Sequence, residues 1–291
     1  MNQPRFLITA ASGQLGRLVV AQLLRRVPAA QIAVAVRDPA TVAEFAAAGI
    51  DVRQADYLDP GSLDQALAGI ERVLLISSNA VGARGAQHRN VIDAARRAGV
   101  GLLAYTSVLH ADRSPLGLAD EHRDTEAALR ESGVPHVLLR NGWYTENLTV
   151  TAGHEIASGV RAGSAGDGRF STAARLDYAE AAAVVLAAEG QAGRIHELAG
   201  DHGYTLSEYA AELSRLAGKP VRYLDLPEAE FRQKLIEAGL PAPFAALLAD
   251  SDAGAAQGAL FDDGGDLARL IGRPTTPWRQ TLREALGAAA R

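Results

Sequence analysis

The stretch that most constrains how this chain can fold is residues 6–16, FLITAASGQLG, in which an apolar run leads into a turn of small residues and then a helical pattern. A turn of this kind lets the backbone approach a dinucleotide pyrophosphate and presents N–H groups at a helix start. Gly13 and Gly16 are the residues without bulk that the approach requires. Similar turns also join strands to helices in proteins that bind no nucleotide, so a second signal must decide between the two interpretations.

The second predicted strand supplies that signal. Residues 31–36 form a run of β-branched residues and alanines that ends at Arg37. Arg37 lies about twenty residues beyond the glycines, at the position where such folds contact the ribose of the dinucleotide. An acidic residue there favours NAD, whereas an arginine pairs with a 2′-phosphate and stacks on adenine. We therefore expect NADPH as the cofactor. Asp38 is better interpreted as the cap of a helix beginning at Pro39 than as a ribose ligand.

Apolar runs alternate with helical patterns through the first half of the chain. The runs are continuous, as expected for parallel strands covered by helices on both faces, and they occupy residues 6–9, 32–36, 73–76, 102–106 and 136–139. Each helical pattern between them closes with a glycine, at Gly49, Gly69, Gly99 and Gly133. This organisation predicts an α/β protein with a Rossmann-type doubly wound parallel sheet.

The regular alternation of apolar runs and helical patterns ends after Arg140. A loop over 141–147 and a glycine-rich passage over 159–168 lead to an alanine-rich helix, for which Asp177 is the expected N-cap. Residues 195–198 form one more predicted strand, which indicates that this helix and strand rejoin the sheet.

Beyond residue 200 the pattern is helical, with short amphipathic helices predicted over 206–217, 228–238, 244–248 and 278–286. We predict a cofactor domain over residues 1–150, rejoined by residues 176–200. The remaining residues, 151–175 and 201–291, are predicted to form a smaller, mainly helical C-terminal substrate lobe.

The composition excludes several classes of function. The 29 Lys and Arg residues against 34 Asp and Glu residues give a net charge of -5 without a long run of either sign, so nucleic-acid binding gains no support. The chain has no cysteine, which suits a reducing, cytoplasmic location. The apolar run at 6–11 is far too short to span a bilayer, and no membrane role is expected. The histidines show no i, i+4 pair suited to a metal, so no metal site is predicted.

In an open parallel sheet the ligand lies beyond the carboxyl ends of the strands, so the residues directly after each strand are candidates for a site. A further strand, the third in chain order, is expected before Asp56, between the apolar runs at 32–36 and 73–76. The candidates are small, polar or aromatic: Asp56 after this third strand, Ser77 and Ser78 after the fourth, Thr106 and Ser107 after the fifth, and Asn141, Gly142, Trp143 and Tyr144 after the sixth. Any one of them could serve only turn formation or capping. Their joint placement is the stronger observation, and it predicts a binding edge.

A series of longer motifs runs along the sheet and into the C-terminal lobe: GQLG at 13–16, VRDP at 36–39, QADY at 54–57, LISS at 75–78, AYTS at 104–107, SPLGLADEH at 114–122, LRNGWY at 139–144, LAGD at 198–201, LADSD at 248–252 and LFDD at 260–263. Together they resemble the NmrA-like group of atypical short-chain dehydrogenase/reductases, and within that group the NADPH-dependent quinone reductases. The likeness covers essentially the full length of the chain.

The resemblance implies how the cofactor is held. Residues 10–15 hold the pyrophosphate, Arg37 takes the 2′-phosphate, Ser77 and Ser78 flank the cofactor, and residues 141–146 border the nicotinamide. With the strand-end candidates, the predicted cofactor-binding residues are Ala10, Ala11, Ser12, Gly13, Gln14, Leu15, Gly16, Arg37, Asp56, Ser77, Ser78, Thr106, Asn141, Gly142, Trp143, Tyr144, Thr145 and Glu146. Related sequences usually carry glycine at the position of Ala10, so this alanine strains the turn if its φ is positive.

The absence of a catalytic pair that is typical of the wider superfamily also indicates which reaction the chain catalyses. Typical members of the wider superfamily protonate a developing alkoxide with a Tyr-x-x-x-Lys pair, and the corresponding positions here are Leu118 and His122. Simple ketone reduction is therefore disfavoured. A quinone needs less help, because hydride addition places its charge on a phenolate-like oxygen with a pKa of about 10. We expect direct hydride transfer from NADPH to a quinone, without a flavin.

Two side chains are candidates for the chemistry itself. His122 could orient the acceptor or donate a proton, although a histidine near a helix start more often has a structural role. Tyr144 could stack on a flat acceptor, or simply pack in the core. Two rival functions stay open: an NADP(H)-sensing regulator without turnover, and a reductase of another flat conjugated acceptor such as a triphenylmethane dye. The sequence also leaves a homodimer open.

Overall fold

The computed structural model describes residues 4–80 and 82–289; the outer ends of the predicted domains, 1–3 and 290–291, lie outside those residues. The strands in the described part are β1 (Phe6–Thr9), β2 (Ile32–Val36), β3 (Asp51–Gln54), β4 (Arg72–Leu75), β5 (Leu102–Val108), β6 (His136–Asn141), β7 (Val160–Gly163), β8 (Arg169–Phe170), β9 (Ile195–Leu198), β10 (Tyr204–Thr205) and β11 (Arg222–Asp225).

The helices alternate with the strands in the first half of the chain and dominate its C-terminal part. They are α1 (Gln14–Leu23), α2 (Ala43–Ala47), α3 (Pro60–Leu67), α4 (Arg84–Ala98), α5 (Ala119–Ser132), α6 (Thr145–Thr149), α7 (Ala152–Ser158), α8 (Arg175–Ala187), α9 (Leu206–Ala217), α10 (Glu228–Glu237), α11 (Ala242–Ala256), α12 (Asp266–Ile271) and α13 (Trp278–Ala289). Short 3-10 helices occupy Ala29–Gln31 and Pro39–Val42.

A seven-stranded sheet with the order β3-β2-β1-β4-β5-β6-β9 forms the centre of the fold. The neighbouring pairs from β3 through β6 are parallel. The strand order reverses beside β1, which lies between β2 and β4. The predicted α/β Rossmann-type fold is confirmed, and in such sheets a ligand binds at the carboxyl ends of the strands next to this reversal.

The burial of the strand residues explains why most strands could be predicted from the sequence. Every residue of β1, β2, β4 and β5 is buried, as expected for strands covered on both faces. The edge strand β3 is half exposed and correspondingly polar, so it forms no apolar run. The helices after these strands end as predicted, because Gly49, Gly69, Gly99 and Gly133 all have positive φ.

The C-terminal half corrects several details of the sequence-based prediction. Asp177 is not an N-cap: α8 begins at Arg175, so Asp177 lies in its first turn and is buried. The predicted helix at 244–248 is part of the N-terminal half of the longer α11. Two short sheets were not predicted; β7 pairs with β11, and β8 pairs with β10. Their strands have two to four residues, too few for a periodic pattern to develop.

The chain divides into two compact units. The first comprises Met1–Ala111, Asp120–Asn141 and Leu176–His196, and the second comprises Asp112–Ala119, Gly142–Arg175 and Glu197–Arg291. These units are not identical to the predicted domains, whose limits remain a prediction. Residues 112–119, 142–150 and 197–200, which were predicted to belong to the cofactor domain, pack with the second unit.

Candidate cofactor site

Close backbone packing builds the turn between β1 and α1. Gly13 is the N-cap of α1, and its N–H donates to the Ala10 carbonyl over 3.0 Å. A Cβ on Gly16 would lie 2.5 Å from the Ala10 oxygen and 2.7 Å from the Ala11 Cα, so only glycine is accommodated there. The first N–H groups of a helix have no intrahelical partner, and an N-cap glycine has no side chain to accept from them. The turn therefore offers donors and a positive helix end to an anion such as a pyrophosphate.

Ala10 has the positive φ that, according to the sequence analysis, would strain an alanine at this position. Its φ is 48°, in the left-handed region that non-glycine residues rarely adopt. An L-residue in this region has its Cβ too close to the following carbonyl, at a cost of about 1 kcal/mol or more. The turn therefore carries strain that a glycine at position 10 would not have.

A buried hydroxyl joins the ends of β1 and β4 beside this turn. Thr9 Oγ1 donates to the Leu74 carbonyl over 3.0 Å and accepts from the Ile76 N–H over 3.0 Å. The Tyr57 hydroxyl contacts Thr9 Oγ1 and donates to the Ile76 carbonyl over 2.9 Å. Burial raises the pKa of Tyr57, so this hydroxyl keeps its proton. The two strand ends at the reversal of the sheet are thereby fixed to each other.

The loop after β4 is held by its backbone amides. The Ser77 N–H donates to Thr106 Oγ1 over 2.8 Å, and the Ser78 N–H donates to His88 Nε2 over 2.9 Å. The structure therefore brings together three of the predicted cofactor residues, Ser77, Ser78 and Thr106. His88, on α4, is a positioning residue that the sequence analysis missed.

His88 belongs to a chain of buried hydrogen bonds. Because its Nε2 accepts from Ser78, the ring proton is on Nδ1, which faces Thr125 Oγ1 at 2.9 Å. Thr125 in turn donates to the Glu121 carbonyl over 2.8 Å. Burial, with a smaller effect of the Arg84 charge, lowers the pKa of His88 to about 3. The neutral ring is the form that the Ser78 amide needs.

His122 lies in the same buried region, in the first turn of α5. Arg84 Nη1 donates to His122 Nε2 over 3.0 Å, so the ring proton is on Nδ1 and points to the Tyr105 hydroxyl oxygen, 2.7 Å away. His122 is only 4% exposed. Burial, together with the charge of Arg84, lowers the pKa of His122 to about 3. Both ring nitrogens therefore already have partners within the first unit.

A buried ion pair fixes the carboxyl ends of β5 and β6. Arg140 donates to both carboxylate oxygens of Glu126, from Nε over 3.0 Å and from Nη2 over 2.8 Å. Ser107 Oγ donates to the same carboxylate over 2.7 Å. Bidentate, fully hydrogen-bonded pairs are the geometry in which a buried charge is tolerated. The ion pair therefore holds Asn141, the last residue of β6, at the predicted binding edge.

The residues after β2 and β3 have contrasting environments. Arg37 is exposed at the end of β2, and its carbonyl accepts from Gln54 Nε2 over 3.1 Å. The predicted capping role of Asp38 is confirmed, since its side chain accepts from the Ala40 N–H over 2.9 Å. The Asp56 carboxylate accepts from the Leu58 N–H over 2.9 Å, which is ordinary turn chemistry. A cofactor contact for Asp56 stays a prediction.

The predicted nicotinamide segment, except Asn141, belongs to the second unit. Within that unit the Gly142 N–H donates to the Leu198 carbonyl over 2.7 Å. Both carboxylate oxygens of Glu146 accept from the Arg175 N–H, at 2.9 and 3.0 Å, so Glu146 caps the start of α8. The Arg175 guanidinium lies 4.9 Å from the centre of the Tyr144 ring. One face of Tyr144 is therefore already covered by a cation.

Residues 4–80 and 82–289 contain no group of three or more His, Cys, Asp or Glu side chains placed to hold a metal ion. Across the same two ranges, none of the helices combines the length and the hydropathy that crossing a membrane requires.

A model of a family described as NAD(P)H-binding matches residues 10–189, which include the glycine turn, Arg37 and the loop after β4. The chain belongs to this NAD(P)H-binding family. The predicted likeness to NmrA-like proteins is also confirmed, because an NmrA-like oxidoreductase of Aspergillus flavus is 28% identical over 97% of this chain and 95% of its own length.

Bacterial relatives are more similar. Quinone oxidoreductase 2 of Escherichia coli is 54% identical, with 96% of each chain covered. The crystal structure of the E. coli NADPH-dependent quinone oxidoreductase complexed with NADPH superposes with a TM-score of 0.95, covering 97% of this chain and 99% of that one at 52% identity. The Citrobacter triphenylmethane reductase has a TM-score of 0.92 at 36% identity, covering 97% of this chain and 99% of its own.

Replacing Ala10 with glycine should stabilise the protein. The substitution removes the left-handed strain at φ 48°, and we expect the free energy of unfolding to rise by about 1 kcal/mol. Urea unfolding measures this. A matched control is Ala68→Gly at an exposed position with φ -58°, where the greater freedom of glycine in the unfolded chain should cost roughly 0.4–1 kcal/mol. An Ala10→Gly protein that loses as much stability as the control would contradict the strain.

His88 and His122 should make the stability of the protein fall in mild acid. Each is neutral in the fold but has a pKa near 6.5 when unfolded, so the unfolded state gains protons first and stability is lost as the pH falls from 6.5 toward 3. At pH 5 each histidine should cost about 2 kcal/mol relative to pH 7. Urea unfolding at both pH values should show a smaller acid loss in His88→Gln and in His122→Gln.

The exposed His202 provides the control for that experiment. His202→Gln should keep the acid loss of the parent protein. If His88→Gln and His122→Gln also keep it, the two rings are not buried in their neutral form.

Proposed function

We propose that this chain is an NADPH-dependent quinone reductase. The observation that carries the proposal is the glycine turn followed by Arg37, in a chain 54% identical to an E. coli quinone oxidoreductase over nearly its full length. The turn suits the group it would hold: a Cβ on Gly16 would strike the Ala10 carbonyl, and the N-cap Gly13 leaves the helix N–H groups open to an anion. When bound, NADPH supplies a hydride from its reduced nicotinamide ring.

The residues of the chain bind and position the reactants. Residues 10–15 of the turn hold the pyrophosphate, and Arg37 pairs with the 2′-phosphate that distinguishes NADPH from NADH. Ser77, Ser78 and Thr106 flank the cofactor, while residues 141–146 border its nicotinamide end. Asp56 is the remaining residue that we propose to contact the cofactor. Positioning of this kind can supply a large share of the barrier reduction, since it removes the entropic cost of bringing two reactants together.

The fate of the proton follows from the acceptor. A quinone that received a hydride would be left with an oxygen anion of phenolate type, and the cofactor would be released as NADP⁺. With a pKa of about 10, that oxygen takes its proton from water at neutral pH. A dedicated acid is not required, which agrees with Leu118 and His122 in place of a Tyr-x-x-x-Lys pair.

We assign His122 a structural role in this reaction. Its Nδ1 proton goes to Tyr105 and its Nε2 accepts from Arg84, and the buried ring stays neutral near pH 7. We propose Tyr144, whose ring contacts the Arg175 guanidinium, as the aromatic side chain that stacks on a flat acceptor. A cytoplasmic location and a homodimer complete the proposal.

A second acceptor is favoured by a specific observation. The structure of a triphenylmethane reductase superposes with a TM-score of 0.92 at 36% identity. A cationic triphenylmethane dye accepts hydride at carbon and, like a quinone, needs no strong general acid. We therefore propose such dyes as alternative acceptors.

The proposed activity predicts that purified protein oxidises NADPH when a small quinone is added. Nicotinamide absorbance measures the rate, with NADH and a triphenylmethane dye in parallel reactions. NADPH should be oxidised faster than NADH at equal low concentration. Tight NADPH binding without oxidation by any acceptor would contradict the enzyme and favour an NADP(H) sensor; oxidation by the dye alone would change the acceptor.

The role assigned to His122 predicts that His122→Gln keeps quinone turnover within about threefold of the parent rate. A residue that donates a proton in the rate-determining step contributes roughly 10²–10⁴-fold. The kcat of His122→Gln, measured beside its thermal unfolding, distinguishes the roles. A hundredfold lower kcat in a folded variant with unchanged NADPH affinity would make His122 the acid.

A further inference from the structure

Arg17 connects two segments of the first unit that are far apart in sequence. It lies on α1, directly after the glycine turn. Its Nε donates to the Ser12 carbonyl over 3.0 Å, and its Nη2 donates to the Thr41 carbonyl over 2.5 Å. Its Nη1 pairs with Glu44. One guanidinium therefore contacts the turn after β1 and the segment after β2 at the same time.

The segment on the far side is the one that carries Arg37. Asp38 caps the 3-10 helix Pro39–Val42, and the Thr41 N–H and hydroxyl both donate to the Asp38 carbonyl, over 3.2 and 2.6 Å. The Thr41 carbonyl that Arg17 holds is thus part of a small rigid unit that begins directly after Arg37. Fixing Thr41 relative to Ser12 fixes the start of this unit relative to the glycine turn.

The charge of Arg17 is already balanced. Glu44 pairs with it, and the side chains of Arg17 and Glu44 are 40% and 56% exposed. An exposed ion pair contributes little to stability, and a compensated guanidinium adds little field at a distance. The remaining contribution of Arg17 is to geometry. Its planar guanidinium donates hydrogen bonds in fixed directions that a lysine cannot reproduce.

We propose that Arg17 is a positioning residue for cofactor selection, which sets the spacing between the pyrophosphate turn and Arg37. The inference rests on the proposed function, in which those two elements bind the pyrophosphate and the 2′-phosphate of NADPH. NADH has no 2′-phosphate and gains nothing from a correctly placed Arg37. Loss of Arg17 should therefore weaken NADPH binding more than NADH binding, and only while Arg37 is present.

The test is a double-mutant cycle of Arg17→Met and Arg37→Ala. Dissociation constants for NADPH and NADH are measured by nicotinamide fluorescence, without any acceptor. Arg17→Met should weaken NADPH binding about tenfold and NADH binding about twofold or less. In the Arg37→Ala background, Arg17→Met should weaken both cofactors by the same small factor. Equal factors for NADPH in the two backgrounds would overturn the inference.

Further variants separate geometry from charge and from folding. Arg17→Lys keeps the charge but should behave like Arg17→Met, and a rescue of NADPH affinity by lysine would overturn the geometric role. Arg25→Met removes the same charge from an exposed position beyond the end of α1 and should leave both affinities unchanged. Thermal unfolding shows that each variant is folded.

Failure of the proposed function has a different signature. A parent protein that binds NADPH no more tightly than NADH contradicts NADPH selection as such, and with it the role of Arg17. A parent that prefers NADPH but shows additive effects of the two substitutions contradicts only the inference about Arg17.

Discussion

The contact between the α1 backbone and the end of β1 is the constraint on which the arrangement of the first unit depends. Gly16 has no Cβ, so α1 packs directly against the Ala10 carbonyl. The first N–H groups of a helix have no intrahelical partner. Close packing at this point leaves no room for adjustment, and the turn accepts a left-handed Ala10 to achieve it. The geometry of the turn that we propose for the pyrophosphate is therefore a consequence of packing within the chain.

The polar contacts around the turn extend this rigidity to the neighbouring strand ends. Thr9 and Tyr57 join β1 to β4, His88 holds the Ser78 amide, and the Glu126–Arg140 pair fixes β5 and β6. His88, and His122 between Arg84 and Tyr105 in the same buried region, are kept neutral by burial. A region of this kind supplies fixed hydrogen-bond geometry rather than protons. An acceptor that needs only hydride and a proton from water suits such a site.

Much of the first unit could be predicted from the sequence, because its strands are buried on both faces and read as apolar runs. The glycines that end the helices were equally informative, since their positive φ excludes most other residues. The exposed edge strand β3 and the two-to-four-residue strands of the second unit have no such pattern. Asp177 resembled an N-cap, but the Glu146 carboxylate accepts the first amide of α8 instead. A partner 29 residues away in sequence leaves no local signal.

The candidate site was predictable to the extent that strand ends define it. Ser77 and Ser78 follow the buried strand β4 as predicted, whereas Thr106 lies within β5, which extends to Val108 beyond its predicted end. The Ser77 N–H nevertheless reaches Thr106, so these residues lie together. The groups that hold them could not be found in the same way. His88 and Thr125 are helical residues on different elements, and only the folded chain shows that they form one hydrogen-bonded series. Arg17 is likewise unremarkable in the sequence, and its role depends on the Thr41 carbonyl across the turn.

The most direct test of the central claim is a crystal structure of this protein with NADPH. The account predicts that the pyrophosphate lies over the N-terminus of α1, within hydrogen-bond distance of the backbone N–H groups of the 10–16 turn, and that the Arg37 guanidinium contacts the 2′-phosphate. NADPH bound with its pyrophosphate away from this turn, or with its 2′-phosphate in solvent and Arg37 turned aside, would contradict it.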